Sequence, residues 1–355
     1  MTTPPIRKLL LVGLGAAGQR HLRNFRTLLP AGTQFLAYRS GQGRTPVLDD
    51  RMQPVPGGRL EGVRSFDSLE AALREKPEAA VIANPTRFHL PAALACARAG
   101  CHLLIEKPLS DSLEGLPELA EVVARQGRVA TVGYPFRFHP GIRRVRDWLK
   151  AGRIGRLLEA RLENGEYLPA WHAYEDYRTG YAARRDLGGG ALLTQIHELD
   201  LALWLFGMPS RLFAVGGRSG ELELDVEDTV SALMEIPQGG RPLPVQMHLD
   251  YLQKRPVRRL EILGSGGRIR WDYPANETVL LPDTGGPERI RHDGFERNQM
   301  FLAEARDFLE AIGGGAPAVS LEEGIRGVAV ALQLRKSMQT GKEAAWASVV
   351  GTPTI

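Results

Sequence analysis

Short apolar runs alternate with amphipathic stretches over residues 1–133. The apolar runs, each of which predicts a strand, cover residues 8–13, 34–39, 79–84, 102–106 and 129–134. The stretches with helix start and stop signals cover residues 69–76, 90–99 and 113–126. Asp67 and Ser68 precede the first helix with Glu70 in capping-box position, and Gly100 and Gly127 directly follow the other two. Strand, helix and strand with short connections predict a parallel, doubly wound sheet.

The pattern changes after residue 134. A helix is predicted over 141–151, a strand over 157–165 and, after a long loop, a helix that runs through Phe206. Further apolar runs separated by turn signals cover residues 211–217, 229–236, 245–253, 258–263, 267–272 and 278–281. They predict a mainly antiparallel sheet, open on one face, and the last helices are predicted over about 297–312 and 321–340. We therefore expect an α/β domain over residues 1–133 and an α+β domain over residues 134–355.

Length and composition agree with two globular domains. A chain of 355 residues is too long for one ordinary core, and 43% hydrophobic with 24% charged residues is typical of a folded globular protein. The net charge of +4 is small, and the basic groups at 143–146 and 255–259 lack interleaved aromatic residues, which argues against a nucleic-acid platform. We interpret these groups as solvated faces that also attract anionic ligands.

The sequence gives no reason to expect a membrane or a metal. No apolar stretch approaches the roughly 18 residues that a membrane-spanning helix needs. Arg7 and Lys8 followed by leucines resemble the start of a signal peptide, but the apolar run ends at Gly13, short of a typical hydrophobic region. Cys96 and Cys101 are too few for a disulfide framework and lack partners at metal-ligand spacing. We expect a cytoplasmic protein.

A glycine motif, Gly13-Leu14-Gly15-Ala16-Ala17-Gly18, stands directly after the first predicted strand and directly before a helix. The first glycine permits a tight turn, the second lets a pyrophosphate approach the backbone, and the third allows close packing of helix and strand. The free N–H groups of the first helical turn, at Ala16 and Ala17, then face the anion. The motif predicts a Rossmann domain that binds a dinucleotide.

The end of the second strand bears on the choice between NAD and NADP. A carboxylate is expected there if the ribose 2′-hydroxyl of NAD is bound, but this chain has Ala37-Tyr38-Arg39-Ser40. Arg39 can pair with a 2′-phosphate and stack on adenine, and Ser40 is a further donor. This favours NADP. The alternative is that Arg39 is a surface residue and the backbone holds the 2′-hydroxyl.

Two ionisable residues are candidates for the chemistry. Lys107 follows the strand at 102–106, at the sheet edge where α/β proteins bind ligands. A partly buried lysine there can exchange protons, although a strand-end lysine can also be a solvated cap. On the predicted helix after Gly188-Gly189-Gly190, Thr194, His197 and Asp200 are three apart and share one side. His197 is a candidate general acid or base, with a structural histidine as the alternative, and Asp200 is expected to orient the helix.

Together these pieces resemble, in order and spacing, the glucose–fructose oxidoreductase/inositol dehydrogenase (Gfo/Idh/MocA) family over nearly the whole chain. The matching segments are residues 13–18, 84–89, 106–108, 137–140 and 188–200. The resemblance implies that Lys107 is the active-site lysine and His197 the active-site histidine. It also implies that the cofactor is bordered by Asn84, Pro85, Thr86, His89 and Glu106, and that Arg137 helps to hold cofactor or substrate.

One departure from the family pattern concerns the proton chemistry. Many members carry an aspartate ahead of the histidine, at the position where this chain has Thr194. Because threonine cannot act as a carboxylate base, the proton chemistry is expected to rest on His197 and Lys107, or on an acid from elsewhere such as Asp176. This version of the motif is similar to a subgroup that acts in the biosynthesis of nonulosonic-acid-type or nucleotide-linked sugars.

The loop ahead of the histidine helix supplies groups suited to a sugar. Its stacking and hydrogen-bonding side chains are Trp171, Tyr174, Asp176, Tyr177 and Tyr181. With Lys107, Thr194 and His197 they form the predicted substrate site. Ordinary surface loop or domain contact is the alternative for this segment.

The predicted function is hydride transfer between NADP or NAD and a secondary alcohol or ketone of a sugar-like substrate. One alternative is a non-catalytic dinucleotide-binding sensor of the same fold, which loss of Lys107 or His197 would favour. Another is reduction of a non-sugar substrate, such as an imine or a bilin-like ligand. An exposed apolar sheet face tends to be covered, so the open sheet also predicts a homodimer or homotetramer.

Overall fold

The computed structural model describes residues 6–39, 45–49, 53–172 and 174–345. Within these ranges the chain forms two sheets, one of six strands and one of nine. The strands of the second sheet alternate buried and exposed residues, so one of its faces is open. No helix in the described ranges is long and apolar enough to cross a lipid bilayer.

The first sheet is parallel throughout, with the strand order β3-β2-β1-β4-β5-β6. Its strands are β1 (Lys8–Val12), β2 (Gln34–Tyr38), β3 (Val63–Phe66), β4 (Ala79–Ile82), β5 (His102–Glu106) and β6 (Ala130–Gly133). The helices between them are α1 (Ala16–Leu28), α2 (Leu69–Leu73), α3 (His89–Arg98) and α4 (Leu116–Arg125). Because both faces of the sheet are covered, β1, β4 and β5 are almost wholly buried and apolar. The predicted doubly wound sheet is confirmed.

Two details of this sheet differ from the sequence prediction. β3 is absent from the prediction because its residues are half exposed at the sheet edge and form no apolar run. The cap of α2 is Ser68 rather than Asp67, since the Ser68 hydroxyl accepts a hydrogen bond from the N–H of Ala71. The Ser68 hydroxyl also donates to Glu70, so Glu70 does not close the predicted capping box.

The second sheet has the order β14-β13-β12-β11-β7-β10-β9-β8-β15. Its strands are β7 (Leu157–Gly165), β8 (Arg211–Gly217), β9 (Thr229–Gln238), β10 (Arg241–Asp250), β11 (Val257–Gly264), β12 (Gly267–Asp272), β13 (Glu277–Pro282), β14 (Glu288–Arg291) and β15 (Ala344–Ala345). Only β7 and β10 run parallel. The predicted mainly antiparallel sheet is therefore confirmed, and the short edge strands β14 and β15 extend it.

The helices of this half are α5 (Pro140–Lys150), α6 (Ala191–Thr194), α7 (His197–Phe206), α8 (Arg297–Ile312) and α9 (Leu321–Thr340). The single helix predicted through Phe206 is thus two helices, so the prediction that Thr194 lies on the same helix as His197 and Asp200 is wrong, whereas His197 and Asp200 do lie three residues apart on α7. The break occurs at Gln195, whose side-chain amide donates to the main-chain oxygen of Asp250 in the sheet. A buried amide next to the sheet needs a hydrogen-bond partner, and the main-chain oxygen of Asp250 supplies it at the point where the helix is interrupted.

Helix α8 returns from the C-terminal half to the first sheet. Ala305, Phe308 and Ile312 of α8 share a hydrophobic core with Leu9 of β1 and Phe25 of α1. The predicted division between residues 133 and 134 stays a prediction. This boundary lies between β6 and α5, where the strands change from parallel to mainly antiparallel. However, α8 comes after the boundary in sequence and still packs on the N-terminal sheet.

Candidate active site

The glycine loop between β1 and α1 is shaped for an anion. Gly13 has φ +96°, and a Cβ there would lie 2.8 Å from the main-chain oxygen of Ala83, so only glycine fits this turn. A Cβ at Gly15 would instead have no atom nearer than 3.8 Å, which leaves the loop open to a ligand. Gly15 precedes α1, and neither a side-chain cap nor an acidic residue occupies the first turn. The pyrophosphate of a dinucleotide fits this uncapped helix start.

The loop after β4 presents unsatisfied polar atoms beside the glycine loop. The side-chain oxygens of Asn84 and Thr86 are buried and have no hydrogen-bond partner among the described residues. Such atoms fit a polar ligand group, because burying them without one is costly. His89 lies between the main-chain oxygens of Asn84 and Pro108, at 2.7 and 2.8 Å from its ring nitrogens. It therefore joins the β4 and β5 loops, and its predicted cofactor contact stays a prediction.

Glu106, at the end of β5, is held by a histidine from the glycine-motif helix. His21 Nε2 lies 2.8 Å from Glu106 Oε1, and the N–H of Lys107 donates to Oε2 at 3.2 Å. Burial alone would raise the pKa of Glu106, but the His21 hydrogen bond and the charge of Lys107 lower it to about 2. The sequence prediction did not include His21. Its position one helical turn after Gly18 is the only signal that could have pointed to it.

Lys107 connects the two halves of the chain. Its Nζ donates a hydrogen bond of 2.7 Å to the main-chain oxygen of Thr194. That oxygen is available because α6 ends at Thr194, so the carbonyl has no helical partner. The bond brings the ammonium group from the end of β5 to the break that directly precedes His197.

His197 is the first residue of α7 and lies in an aromatic pocket. Its ring is 5.2 Å from that of Phe136 and 6.2 Å from that of Tyr134, both edge-on. Burial, followed by the positive charges of Lys107 and Arg258, lowers the pKa of His197 well below its usual value. The imidazole is therefore neutral near pH 7 and can accept a proton.

Two buried ion pairs hold the first turn of α7, directly after His197. Arg258 of β11 lies 2.7 Å from Glu198 and stacks over the ring of Phe136, at 4.2 Å from its centroid. Arg258 is 7% exposed, so its interpretation as part of a solvated basic face is wrong. The long-range pair with Glu198 explains its burial.

The second pair joins Arg137 and Asp200. Arg137 donates to the two carboxylate oxygens of Asp200 at 3.0 and 2.6 Å, and also to Glu323 and to the main-chain oxygen of Ala318. Burial raises the pKa of the Asp200 carboxyl, and the guanidinium of Arg137 opposes that shift. Each nitrogen of Arg137 thus has a protein acceptor, and this geometry gives no support to its predicted contact with cofactor or substrate.

Models of known families match both halves of the chain. The model described as an oxidoreductase family with an NAD-binding Rossmann fold matches residues 7–134, and that of the GFO/IDH/MocA C-terminal domain matches residues 142–270. These matches cover most of the residues that form the site. The chain belongs to the GFO/IDH/MocA oxidoreductase family.

Members of this family match the chain over nearly its whole length. Myo-inositol 2-dehydrogenase of Thermotoga maritima is 24% identical over 359 residues, which cover 96% of this chain and 99% of that protein. The crystal structure of myo-inositol 2-dehydrogenase from Lactobacillus plantarum has a TM-score of 0.76 at 21% identity, with coverage of 96% and 99%. That of the WlbA dehydrogenase from Bordetella pertussis, in complex with NADH and UDP-GlcNAcA, has a TM-score of 0.77 at 18% identity, with coverage of 96% and 99%. At such identities the solved structures support the fold.

In this family member the predicted substrate loop is built from short 3-10 turns. Trp171, Tyr177 and Tyr181 line one small hollow, and Trp171 packs edge-on against Tyr251 at 5.4 Å. The indole N–H of Trp171 is buried without a partner among the described residues, which suits a hydrogen-bonding ligand. The structure thus brings three of the predicted loop residues together, and their contact with substrate stays a prediction.

Tyr174 and Asp176 are placed differently from those three. Tyr174 stacks on His172 at 5.3 Å, and burial together with Glu175 raises its pKa to about 12. The carboxylate of Asp176 is exposed and accepts hydrogen bonds from Arg178, which lower its pKa. A carboxylate held ionised at the surface is a poor general base, so the geometry argues against Asp176 as the alternative acid.

The predicted 2′-phosphate residues lie at the end of β2. Arg39 is half-buried, and its N–H donates to the main-chain oxygen of Phe66 in β3, which fixes the backbone at this point. Ser40 lies outside the described residues. The family matches name NAD and leave the choice between NAD and NADP open.

Proposed function

We propose that the chain transfers a hydride reversibly between C4 of a nicotinamide dinucleotide and a secondary carbinol carbon of a sugar-like substrate. The family and the anion-shaped glycine loop support the dinucleotide. Relatives named for dehydrogenation of myo-inositol, and one solved with a nucleotide sugar, support a polyhydroxylated substrate. The bound dinucleotide supplies the hydride acceptor or donor, and the residues of this chain supply position and proton transfer.

The bond between Lys107 and the main-chain oxygen of Thr194 carries this proposal. It places a cationic group beside His197 at the junction of the two halves. A cation there stabilises negative charge on the substrate oxygen as the carbon loses its hydride. The neutral His197 accepts the hydroxyl proton in oxidation and returns it in reduction. Its low pKa favours release of that proton once the ketone has formed.

NADP is the proposed cofactor. The supporting observation is Arg39 at the end of β2, where a family member that prefers NAD would present a carboxylate. Because the backbone of Arg39 is fixed by β3, its side chain starts from a defined position near the adenosine ribose site. A guanidinium there pairs with a 2′-phosphate more strongly than with a hydroxyl.

Single-turnover hydride transfer followed by stopped flow tests the catalytic assignment. Lys107→Ala and His197→Ala should each slow hydride transfer at least about a hundredfold while dinucleotide affinity stays within a few-fold. Thr194→Ala is the matched control, since it keeps the main-chain oxygen that Lys107 contacts, and should cost far less.

Three outcomes would count against the proposal. Turnover of Lys107→Ala at nearly the wild-type rate would show that the lysine does not stabilise charge on the substrate oxygen. A dinucleotide-binding protein that turns over no polyol, sugar or keto-sugar would point to the non-catalytic sensor. Turnover confined to an imine or another non-sugar compound would keep the hydride chemistry and overturn the substrate class.

Assembly and location complete the proposal. Phe213 and Leu233 are paired neighbours on β8 and β9, and with Val215 they expose apolar surface on the open face. We propose that a second copy covers this patch in a homodimer or homotetramer. Light scattering should show the oligomer, and a monomer at micromolar concentration would contradict it. The buried, free thiols of Cys96 and Cys101 agree with the cytoplasm as the proposed location.

A further inference from the structure

A second cavity has a volume of about 390 Å³, and its lining residues do not include Lys107, His197, Trp171, Tyr177 or Tyr181. It is formed by the loops after β4 and β5, the turn before Gly188, the end of β8 and helix α9. Its volume falls in the range of small-molecule pockets. Four arginines line it: Arg87, Arg185, Arg218 and Arg335.

Two of these arginines are already neutralised. Arg87 Nη1 lies 2.9 Å from Asp111 Oδ2, and Arg335 Nη2 lies 3.3 Å from Glu227 Oε1, where both carboxylates also line the cavity. These pairs fix the two guanidinium groups in place and leave little net charge on them. They define one side of the cavity as a set of preorganised donors.

The charges of the other two arginines, Arg185 and Arg218, are not balanced by a carboxylate among the described residues that line the cavity. Arg185 donates to the main-chain oxygen of Asp225 at 2.8 Å, and Arg218 donates to that of Leu224 at 3.4 Å. The carboxylate of Asp225 accepts instead from the main-chain N–H of Arg185. Within the described ranges, neither guanidinium is seen in an ion pair with a carboxylate. Both side chains are exposed, and the cavity carries an excess of two positive charges.

Glycines form the remaining wall. A Cβ at Gly217 would meet no atom within 4 Å, whereas one at Gly188 would lie 2.9 Å from the Cβ of Thr86. The wall at Gly217 therefore leaves open space, and Gly188 packs against the β4 loop. A ligand in the cavity would lie beside the segment that leads from Gly188 into α6 and the carbonyl held by Lys107.

We propose that this arginine pocket binds the phosphate group of a small molecule. Guanidinium groups present planar pairs of donors that match phosphate oxygens, and two uncompensated charges match a phosphate dianion. The phosphate belongs either to a free phosphorylated ligand or to a phosphorylated sugar substrate. Binding of a phosphate in the pocket does not depend on the proposed hydride transfer, because none of the charged residues of the pocket takes part in that reaction, whereas the assignment to a sugar substrate rests on the proposed function.

Calorimetric titration of the dinucleotide-saturated protein with inorganic phosphate and pyrophosphate tests the pocket. Saturation with dinucleotide blocks the glycine loop, and sodium chloride keeps the ionic strength constant. One saturable site is expected, and Arg185→Ala/Arg218→Ala should weaken it at least about tenfold. Arg241→Ala removes an exposed arginine at the start of β10 as the matched control and should bind like the wild type.

The two sources of phosphate give different kinetics. A phosphorylated sugar that is turned over with a KM raised by the double variant would assign the pocket to the substrate. Phosphate that still binds when the site is saturated with an unphosphorylated substrate would assign it to a free ligand. No saturable binding at millimolar concentration, or equal affinity in the double variant, would overturn the proposal.

Discussion

The two halves of the site are held in different ways. In the N-terminal half, Glu106 and Lys107 are neighbours at a strand end, and His21 reaches Glu106 from the helix of the glycine motif. In the C-terminal half, α7 is held by arginines that come from β11 and from the turn after β6. Both arrangements use partners distant in sequence, 85 residues apart for His21 and Glu106 and 63 and 60 residues apart for the two arginine pairs. They differ in chemistry, because the second consists of guanidinium–carboxylate pairs, in which the guanidinium is always charged.

This difference concerns energetics as well as chemistry. In the N-terminal half, loss of His21 leaves Glu106 with the N–H and the positive charge of Lys107. In the C-terminal half, loss of one arginine leaves a buried carboxylate without its main counter-charge in a poorly polar surrounding. The C-terminal half should therefore be the more sensitive to single substitutions, even at residues that do not touch substrate.

The largest effect is expected from Arg137→Ala. Removing this guanidinium leaves Asp200 and part of Glu323 unpaired, and the free energy of unfolding should fall by about 3–5 kcal/mol. Chemical denaturation monitored by fluorescence measures it. Arg144→Ala, an exposed arginine of α5, is the control and should stay within about 0.5 kcal/mol of the wild type. A loss below about 1 kcal/mol for Arg137→Ala would show that the pair does not hold α7.

The free energy of unfolding should depend on pH in different ranges for the two halves. Burial, with the charges of His292 and Arg258, lowers the pKa of His139 from 6.5 to about 3. The unfolded chain then takes up a proton near pH 6.5 that the folded chain does not, so stability falls as the pH falls from 6.5 towards 3. The pKa of Glu106 is lowered from 4.5 to about 2. The ionised carboxylate therefore contributes to the free energy of unfolding above pH 4.5, and this contribution is lost as the pH falls towards 2.

Denaturation at several pH values with one variant from each half checks these windows. The stability advantage of the wild type over His139→Asn should shrink by about 2 kcal/mol between pH 7 and 5, at about 1.4 kcal/mol per pH unit. Asparagine keeps an acceptor for the N–H of Gly141, which His139 caps. The stability advantage of the wild type over Glu106→Gln should stay nearly constant between pH 7 and 5. It should shrink by a similar amount, about 2 kcal/mol, between pH 4.5 and 3. Identical profiles for the two variants would refute the assignment.

A smaller effect is expected when Arg258 is replaced by methionine. Loss of its charge should raise the pKa of His197, because Arg258 is one of the positive charges that lower it. The acidic limb of the kcat/KM profile for alcohol oxidation should move up by about one pH unit. Arg259→Met, the exposed neighbour paired with Asp272, is the control and should leave the limb in place. An unmoved limb in Arg258→Met, with altered kcat alone, would mean that Arg258 acts only through packing.

The smallest effect concerns the cofactor end of the N-terminal half. Arg39→Ala should narrow the preference for NADPH over NADH by about tenfold or less, because one exposed charge-assisted contact is lost. Fluorescence titration of both dinucleotides measures the ratio. Arg26→Ala, on the far end of α1, serves as the control. Equal affinities of the wild type for the two dinucleotides would remove the case for NADP.

A related contrast, between local patterns and long-range contacts, explains what the sequence could predict. The glycine motif and the strand-end lysine can be recognised because each directly follows a predicted strand, although the partner of the lysine, the main-chain oxygen of Thr194, is 87 residues away. Continuous apolar runs, which are buried on both faces of the sheet, predict the doubly wound sheet. Strands in which apolar and polar residues alternate predict the antiparallel sheet. The edge strands β3, β14 and β15 were not predicted, because main-chain pairing holds them rather than packing of apolar side chains in the core.

The errors in the site have one physical origin. Helical periodicity places Thr194 and His197 on one continuous helix, but the helix is interrupted at Gln195, whose side chain bonds to the sheet. Composition assigns Arg258 to a solvated face, but its partner Glu198 lies sixty residues away. Neither contact leaves a local signal, because both are decided by which strands become neighbours in the folded chain.

The bond from Lys107 to the carbonyl of Thr194 has a consequence for how the protein can diversify. A main-chain oxygen is present whatever amino acid occupies position 194, so the anchor for the lysine is independent of the side chain encoded there. Position 194 can therefore be varied, in natural divergence or in a laboratory library, without moving the ammonium group. Under the proposed function, the side chain at position 194 can vary towards the substrate while the main-chain oxygen of the same residue keeps Lys107 in place.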